Sequence, residues 1–314
     1  MAKVHTKATL NERQKRISFY AFILPWIIGF SLLQITPIIW GFIISLTNQT
    51  AFSPVIKFVG LKNYQKVLSD PDVLYSFWTT FLYTVGNTTI AVFVGFIFAL
   101  MQERPVWGRS AFRTILFFPY MIPLVAVGWI FKLFLERDTG FFNMVLANLG
   151  IIETNIAWLQ KFPLGSILSL SIWQAGWSMI IFIGALSTVP DELYEVATID
   201  GAGYLKKVRH IMLPLISPFI FFQFVMSFIY AMQEFVRPYI LNPRPIRGQH
   251  LTRFAPPKET FFIMAKGFYT IVTEHQFSVG LAMLWVLFAF VLIFTILFVR
   301  FGGFWVYTEV EDKK

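Results

Sequence analysis

The chain has 314 residues; 56% are hydrophobic, only 14% are charged, and the 37 Phe outnumber all 26 Lys and Arg. That much apolar surface cannot be hidden in a soluble core of this length. The composition therefore excludes an ordinary soluble domain and a disordered chain and, since there is no Cys, a disulfide scaffold or thiolate site. The formal charge of +9 sits between long apolar runs, which points to membrane-flanking charges and not to nucleic acid.

Six stretches of 18 residues or more contain no Asp, Glu, Lys or Arg: 17–56, 73–102, 114–131, 162–190, 211–233 and 276–299. About 20 helical residues cross a hydrocarbon core of about 30 Å. A charge at mid-bilayer costs roughly 2.5–3.5 kcal/mol, so charge-free runs mark spans. The expected spans are 18–45, 77–101, 114–135, 164–186, 216–233 and 277–300. The first follows Lys3, Lys7, Arg13, Lys15 and Arg16. Its apolar part is too long for a signal peptide, so it is expected to be retained, with a kink at Pro25 or Pro37. The N-terminal bases favour a cytoplasmic start, and an even number of spans returns the C-terminus to the same side. The bases of 234–275 fall on the opposite side and weaken the bias.

Several chemistries are missing. There is no phosphate-cradling G-x-x-x-x-G-K-[ST], no G-x-S-x-G, and the four His have no second ligand at metal spacing. No catalytic residue and no metal site is expected. Asp200-Gly201-Ala202 resembles the start of a lipid-transferase motif, but the further Asp residues that would hold metal do not follow. The six runs also lack the buried Asp, Glu or His on which ion-coupled carriers depend.

Residues 191–213 read DELYEVATIDGAGYLKKVRHIML. Leu193, Val196 and Ala197 follow helical spacing, as do Leu205, Val208 and Ile211 or Met212. Gly201 and Gly203 separate two short helices, and Pro190 and Pro214 bound the unit. Acids lead and bases follow, which suits the helix dipoles. The pattern alone fits either a helix lying on the membrane surface or a knob that docks in a partner.

Glu195-Val196-Ala197, then Asp200-Gly201, nine residues, then Ile211-Met212-Leu213-Pro214 resembles the EAA loop of binding-protein-dependent ABC importer permeases; Val196 stands where Ala is usual. Phe58-Val59-Gly60-Leu61-Lys62-Asn63-Tyr64 with Asp70-Pro71 resembles the first external loop of the carbohydrate-uptake branch, the maltose and glycerol-phosphate type. Gly140, Asn143, Leu146 and Gly150 resemble its helix after the third family span. Leu241-Asn242-Pro243-Arg244-Pro245 departs from the T-x-G-G-P usual there. The resemblance implies an all-α membrane protein of six transmembrane helices with the type I importer (MetI-like) fold. Its expected divisions are a cytoplasmic segment 1–16, a first helix and external loop 17–74, a transmembrane domain 75–300 and a cytoplasmic tail 301–314. It also implies that Glu195, Ala197, Asp200, Gly201, Leu205, Ile211 and Pro214 couple the chain to an ATPase. The implied partners are a second homologous permease, two ATPase subunits carrying ATP and Mg, an extracytoplasmic solute-binding protein, the lipid bilayer and a carbohydrate. This chain itself is expected to hold no cofactor.

Aromatic faces suit sugar rings, and amides and acids suit hydroxyls. By resemblance, Trp173, Gln174 and Trp177 before the loop and Tyr230, Gln233 and Glu234 after it line a substrate path; Trp173 and Trp177 fit packing or interfacial positions equally well. Arg237, Arg244, Arg247 and Arg253 form an expected external basic loop. It either meets an acidic binding protein or draws in an anionic saccharide such as an oligo-uronate or alginate fragment. Readings in other classes are a secondary carrier or channel for small solutes and a lipid-modifying enzyme.

Overall fold

The computed structural model describes residues 12–103, 107–241, 244–247 and 252–303; for Arg13, 244–247 and 252–254 it describes the backbone alone. The first span is α1 (Glu12–Phe30), a π-helical turn (Ser31–Ile35) and α2 (Thr36–Ser45). The helix stays continuous through Pro25. The irregularity falls just before Pro37, where the Thr36 N–H reaches back to the Ser31 carbonyl. Pro37 has no N–H to continue the ladder, and the widened turn absorbs the misfit.

Next come α3 (Lys62–Ser69) and α4 (Pro71–Leu100). The Asp70 carboxylate accepts the N–H groups of Asp72 (2.8 Å) and Val73 (3.4 Å), and Pro71 supplies a preset first turn. Central helix α4 packs against α9 (Pro163–Trp173), α10 (Gly176–Leu186), α14 (Ser217–Met232) and α16 (Ile263–Val272). Its buried positions are small or hydroxylated, among them Ser76, Thr80, Thr84, Thr88, Gly95 and Ala99, which lets neighbouring backbones approach closely.

Three helices are long and apolar enough to cross a membrane alone: Gln14–Ser45, Pro71–Leu100 and α17 (Phe277–Gly302). Of the other three expected spans two are broken, and the fifth begins at a bend. The chain turns by 98° between α5 (Arg109–Met121) and α6 (Leu124–Phe134), so 114–135 is not one straight span. Ile122 precedes Pro123 and is forced extended (φ −74°, ψ 132°), which ends α5. The bend between α9 and α10 is 44°, at Gln174 and Ala175. The bend before α14 is 69°, at Ile216 between Pro214 and Pro218. Short helices α7 (Phe141–Asn148) and α8 (Trp158–Lys161) join α6 to α9.

Between α10 and α14 lie α11 (Asp191–Ile199), α12 (Tyr204–Lys207), a π-helical turn (Val208–Met212) and α13 (Leu213–Leu215). After α14 come α15 (Val236–Leu241) and an antiparallel hairpin of β1 (Arg244–Arg247) and β2 (Thr252–Ala255), with Arg244 opposite Ala255. The hairpin is the one sheet among the described residues and qualifies the all-α expectation.

Gly95 marks the tightest approach of α4 to α10. A Cβ there would overlap the Ser178 side chain and lie 3.0 Å from the Ser178 carbonyl carbon and 3.2 Å from the Met179 nitrogen. Overpacking of this kind costs about 1–3 kcal/mol. Gly95→Leu is expected to lower the melting temperature and monodisperse yield in detergent. Gly184→Ala, whose new Cβ meets nothing within 4 Å, should leave both unchanged. Thermal scans followed by size-exclusion chromatography check this.

Candidate functional site

A cavity of about 590 Å³ lies where the α9–α10 bend and the C-terminal part of α14 with the turn after it face α4. Its wall includes Asn87 from α4, Tyr120 from α5, Gln174, Trp177 and Ser178 around the α9–α10 break, and Gln223, Ser227, Tyr230, Gln233, Glu234 and Arg237 from α14 onward. Trp177 stacks on Tyr120 with centroids 5.2 Å apart and planes 21° apart, and Tyr230 is 68% exposed. Gln223 Nε2 donates to the Ser178 hydroxyl at 2.7 Å and to Ser227 at 3.0 Å. The Gln233 amide donates to the Ile229 carbonyl at 3.1 Å.

The six residues of the expected path divide. Gln174, Trp177, Tyr230, Gln233 and Glu234 stand on the cavity wall. Trp173 does not; it packs on Phe131, centroids 5.3 Å apart, against the core of Tyr83, Val127, Ile167 and Leu170. The packing reading therefore describes Trp173. The 44° break at Gln174 and Ala175 lies between it and Trp177 and sends the two indoles to different surroundings.

Arg237 departs from the expected surface loop. It sits on α15, with 13% of its side chain exposed. Its Nη1 donates to the hydroxyl of Tyr83, to Asn87 (3.4 Å) and to Ser171 (3.3 Å), and its Nη2 to Gln174 (2.9 Å). Glu234 folds over the start of α15. Its Oε1 accepts the N–H groups of Phe235, Val236 and Arg237 at 3.0, 3.0 and 3.1 Å. Its Oε2 lies 3.4 Å from the Tyr83 hydroxyl and 3.5 Å from Arg237 Nε. Only the backbones of Arg244, Arg247 and Arg253 are described, in the hairpin; Asn242 and Pro243 lie outside the described residues. Of the other bases in this region, Lys258 pairs with Asp72 at 2.8 Å. Burial holds Lys266 below its usual pKa. Less free positive charge faces solvent than the sequence suggests.

Tyr83, Asn87, Ser171, Ser178, Gln223 and Ser227 were not anticipated. Their signal was present: Tyr83 and Asn87, and Gln223 and Ser227, are i, i+4 pairs inside charge-free runs, so each pair shares one helix face.

At the other end of α4 lies the 191–213 unit. α11 ends in a glycine cap: the Gly201 N–H donates to the Thr198 carbonyl (3.0 Å) and the Ala202 N–H to the Ala197 carbonyl (2.8 Å). Gly201 has φ +72°, a conformation that side chains disfavour. Lys207 Nζ donates to the Tyr194 carbonyl (3.2 Å) and the Thr198 hydroxyl (2.6 Å), tying α12 to the last turn of α11. Tyr204 donates to Glu103 Oε2 at 3.0 Å. Val208, Met212 and Ile216 join Ala99, Phe182 and Ala185 in a core that seats the unit on α4 and α10. Burial, with Glu103 and Asp191 nearby, pushes the Tyr194 hydroxyl up to about 12, so it stays protonated. Leu205 was grouped with Val208 and Met212 by spacing but turns the other way and is 80% exposed. Val196 (56%) and Ile199 (85%) are exposed with it. Glu195, Asp200, Gly201 and Pro214 are also exposed, while Ala197 and Ile211 are half-buried.

Residues 91–306 match the model of the binding-protein-dependent transport system inner membrane component family. The trehalose/maltose transport system permease protein MalF of Thermococcus litoralis is 28% identical, covering 94% of this chain and 96% of that protein. The arabinooligosaccharides transport system permease protein AraP of Bacillus subtilis is 32% identical, covering 72% of each. Among solved structures, a bacterial ABC transporter involved in the import of the acidic polysaccharide alginate matches with a TM-score of 0.78 at 20% identity, covering 92% of this chain and 96% of that one. The chain belongs to the binding-protein-dependent transport system inner membrane component family. It is a multi-pass permease subunit of an ABC transporter of the inner membrane and is not itself an enzyme.

Removing the Tyr83 hydroxyl would leave the buried guanidinium short of an acceptor, at a cost of about 1–3 kcal/mol. Tyr83→Phe should lower the melting temperature in detergent by more than Tyr230→Phe, whose ring is exposed. Differential scanning fluorimetry of the two variants measures the difference.

Proposed function

We propose that this permease subunit forms half of the translocation path of a carbohydrate importer. The observation that carries the reading is the cavity: a stacked Trp177–Tyr120 pair and an exposed Tyr230 offer faces to sugar rings, and Asn87, Gln174 and Gln233 offer amides to hydroxyls. The systems named for the relatives, trehalose/maltose and arabinooligosaccharides, carry saccharides and support it. A second homologous permease closes the open side of the cavity, and a solute-binding protein delivers the sugar outside. Two ATPase subunits hold ATP and Mg and hydrolyse the nucleotide. Both termini face the cytoplasm, with 1–16 and 301–314 as the terminal segments, 17–74 as first helix and external loop and 75–300 as the transmembrane domain.

The 191–213 unit is the coupling element. Val196, Ile199 and Leu205 form an apolar surface left exposed among the described residues, and Glu195 and Asp200 flank it. Insertion of that surface into a groove of the ATPase is the reading best matched by exposed apolar residues on a unit whose base is packed rigidly. Glu195, Ala197, Asp200, Gly201, Leu205, Ile211 and Pro214 carry the contact or hold its shape.

Gly201→Asp puts a side chain at φ +72° and breaks the cap that aims α12. Sugar-stimulated ATPase activity of the assembled complex should be lost while the chain remains inserted; normal stimulation would refute the coupling role. Trp177→Ala and Gln233→Ala should raise the half-saturating sugar concentration by the equivalent of about 1–3 kcal/mol each, at unchanged expression. Uptake that survives depletion of ATP and collapses with the proton gradient would favour a secondary carrier.

A further inference from the structure

Among the described residues Arg237 is the one cation on the wall of the cavity, and its hydrogen bonding is incomplete. A guanidinium has five N–H groups arranged as forks that match a carboxylate. Here Nη1 is taken up by Tyr83, Asn87 and Ser171, and Nη2 has one acceptor, Gln174. Nε is buried and has no hydrogen-bond partner. The anion beside it, Glu234 Oε2, stands 3.5 Å away, beyond the 2.7–2.9 Å or so of a charge-assisted bond. Glu234 comes no closer because its other oxygen is fixed by three backbone N–H groups at the start of α15.

Resting on the carbohydrate reading above, we propose that Arg237 is the receptor for a carboxylate of the transported saccharide, with Glu234 the internal anion that keeps the empty site neutral. The substrate class is then an acidic saccharide such as an oligo-uronate. Its carboxylate pairs with the Nε and Nη2 edge, which Glu234 approaches but does not engage. The neutral oxygens of Tyr83, Ser171 and Gln174 hold the guanidinium in place throughout. This assigns acid selectivity to one residue inside the path and not to the bases of the surface hairpin.

The test uses the complete importer in lipid nanodiscs without its binding protein, so that only the cavity selects. The probes are a galacturonic acid trisaccharide and its carboxyl-reduced, neutral counterpart, with binding followed by calorimetry. The acidic probe should bind about tenfold or more tightly, the effect of one charge-assisted pair. Arg237→Lys, which keeps the charge and loses the fork, should cut that preference severalfold, and Arg237→Gln should abolish it. Glu234→Gln keeps an oxygen for the backbone N–H groups but removes the competing charge, so it should strengthen binding of the acidic probe alone. A merely structural ion pair would not produce that gain. Equal binding of the two probes by the wild type, or equal losses for both in the Arg237 variants, would overturn the inference and leave the carbohydrate reading standing. If neither probe binds, the carbohydrate reading fails and the inference fails with it.

Discussion

A guanidinium enclosed among membrane spans persists only where its hydrogens find acceptors, and Arg237 collects its acceptors from two of them. Tyr83 and Asn87 come from α4 and Ser171 and Gln174 from the end of α9, while Glu234, in the turn after α14, supplies a counter-charge 3.5 Å from Nε. Removing one neutral acceptor from such a network leaves a buried donor unpaired, at about 1–3 kcal/mol. Bends at the α9–α10 junction and after α14 free the segments that reach this node. A straight fourth span would run past Gln174 without turning it toward Arg237. The cavity is shaped by the same bends, so its walls and the network are one construction.

The 191–213 unit solves a different problem. It must be rigid toward its own chain and sticky toward another. Rigidity comes from the cap at Gly201, the Lys207 tie and the Val208–Met212 core. Stickiness comes from Val196, Ile199 and Leu205, apolar side chains left exposed together on a short connection between spans.

The sequence makes the spans legible because mid-membrane charge is costly and its absence is easy to see. It does not make the bends legible, since Pro119, Pro123, Pro214 and Pro218 mark where a helix is weakened but not by how much it turns. The 98° turn at Ile122 goes with packing of α6 against α15, a distant segment, where Gly128 meets Ile240. The glycine cap was readable because Gly201 follows a helical pattern and precedes a second one. Arg237 was misplaced for an instructive reason. A base three residues after Glu234 reads as surface charge in a loop, and only the fold reveals that this turn runs back into the bundle, against Tyr83 and Ser171. The polar residues of the cavity were hidden by the same criterion that found the spans, because Asn, Gln and Ser carry no charge.

Helix α4 joins the two regions. Tyr83 and Asn87 belong to the cavity network, while Ala99, near its other end, and Glu103, just beyond it, seat the 191–213 unit and receive Tyr204. Sixteen residues of helix carry the chain from Tyr83 to Ala99, about 24 Å at 1.5 Å per residue, most of the thickness of the hydrocarbon core. The small side chains of α4 let α10 and α14 lie directly against it, and Gly95 leaves no room for sliding over Ser178. A displacement of the 191–213 unit would therefore reach the cavity through this closely packed helix, and closure of the cavity around a ligand would strain the same helix from the other end. Reciprocal effects of this kind are what coupling between two sites requires thermodynamically. In this chain the element that would transmit them is one whose buried positions are mainly small or hydroxylated.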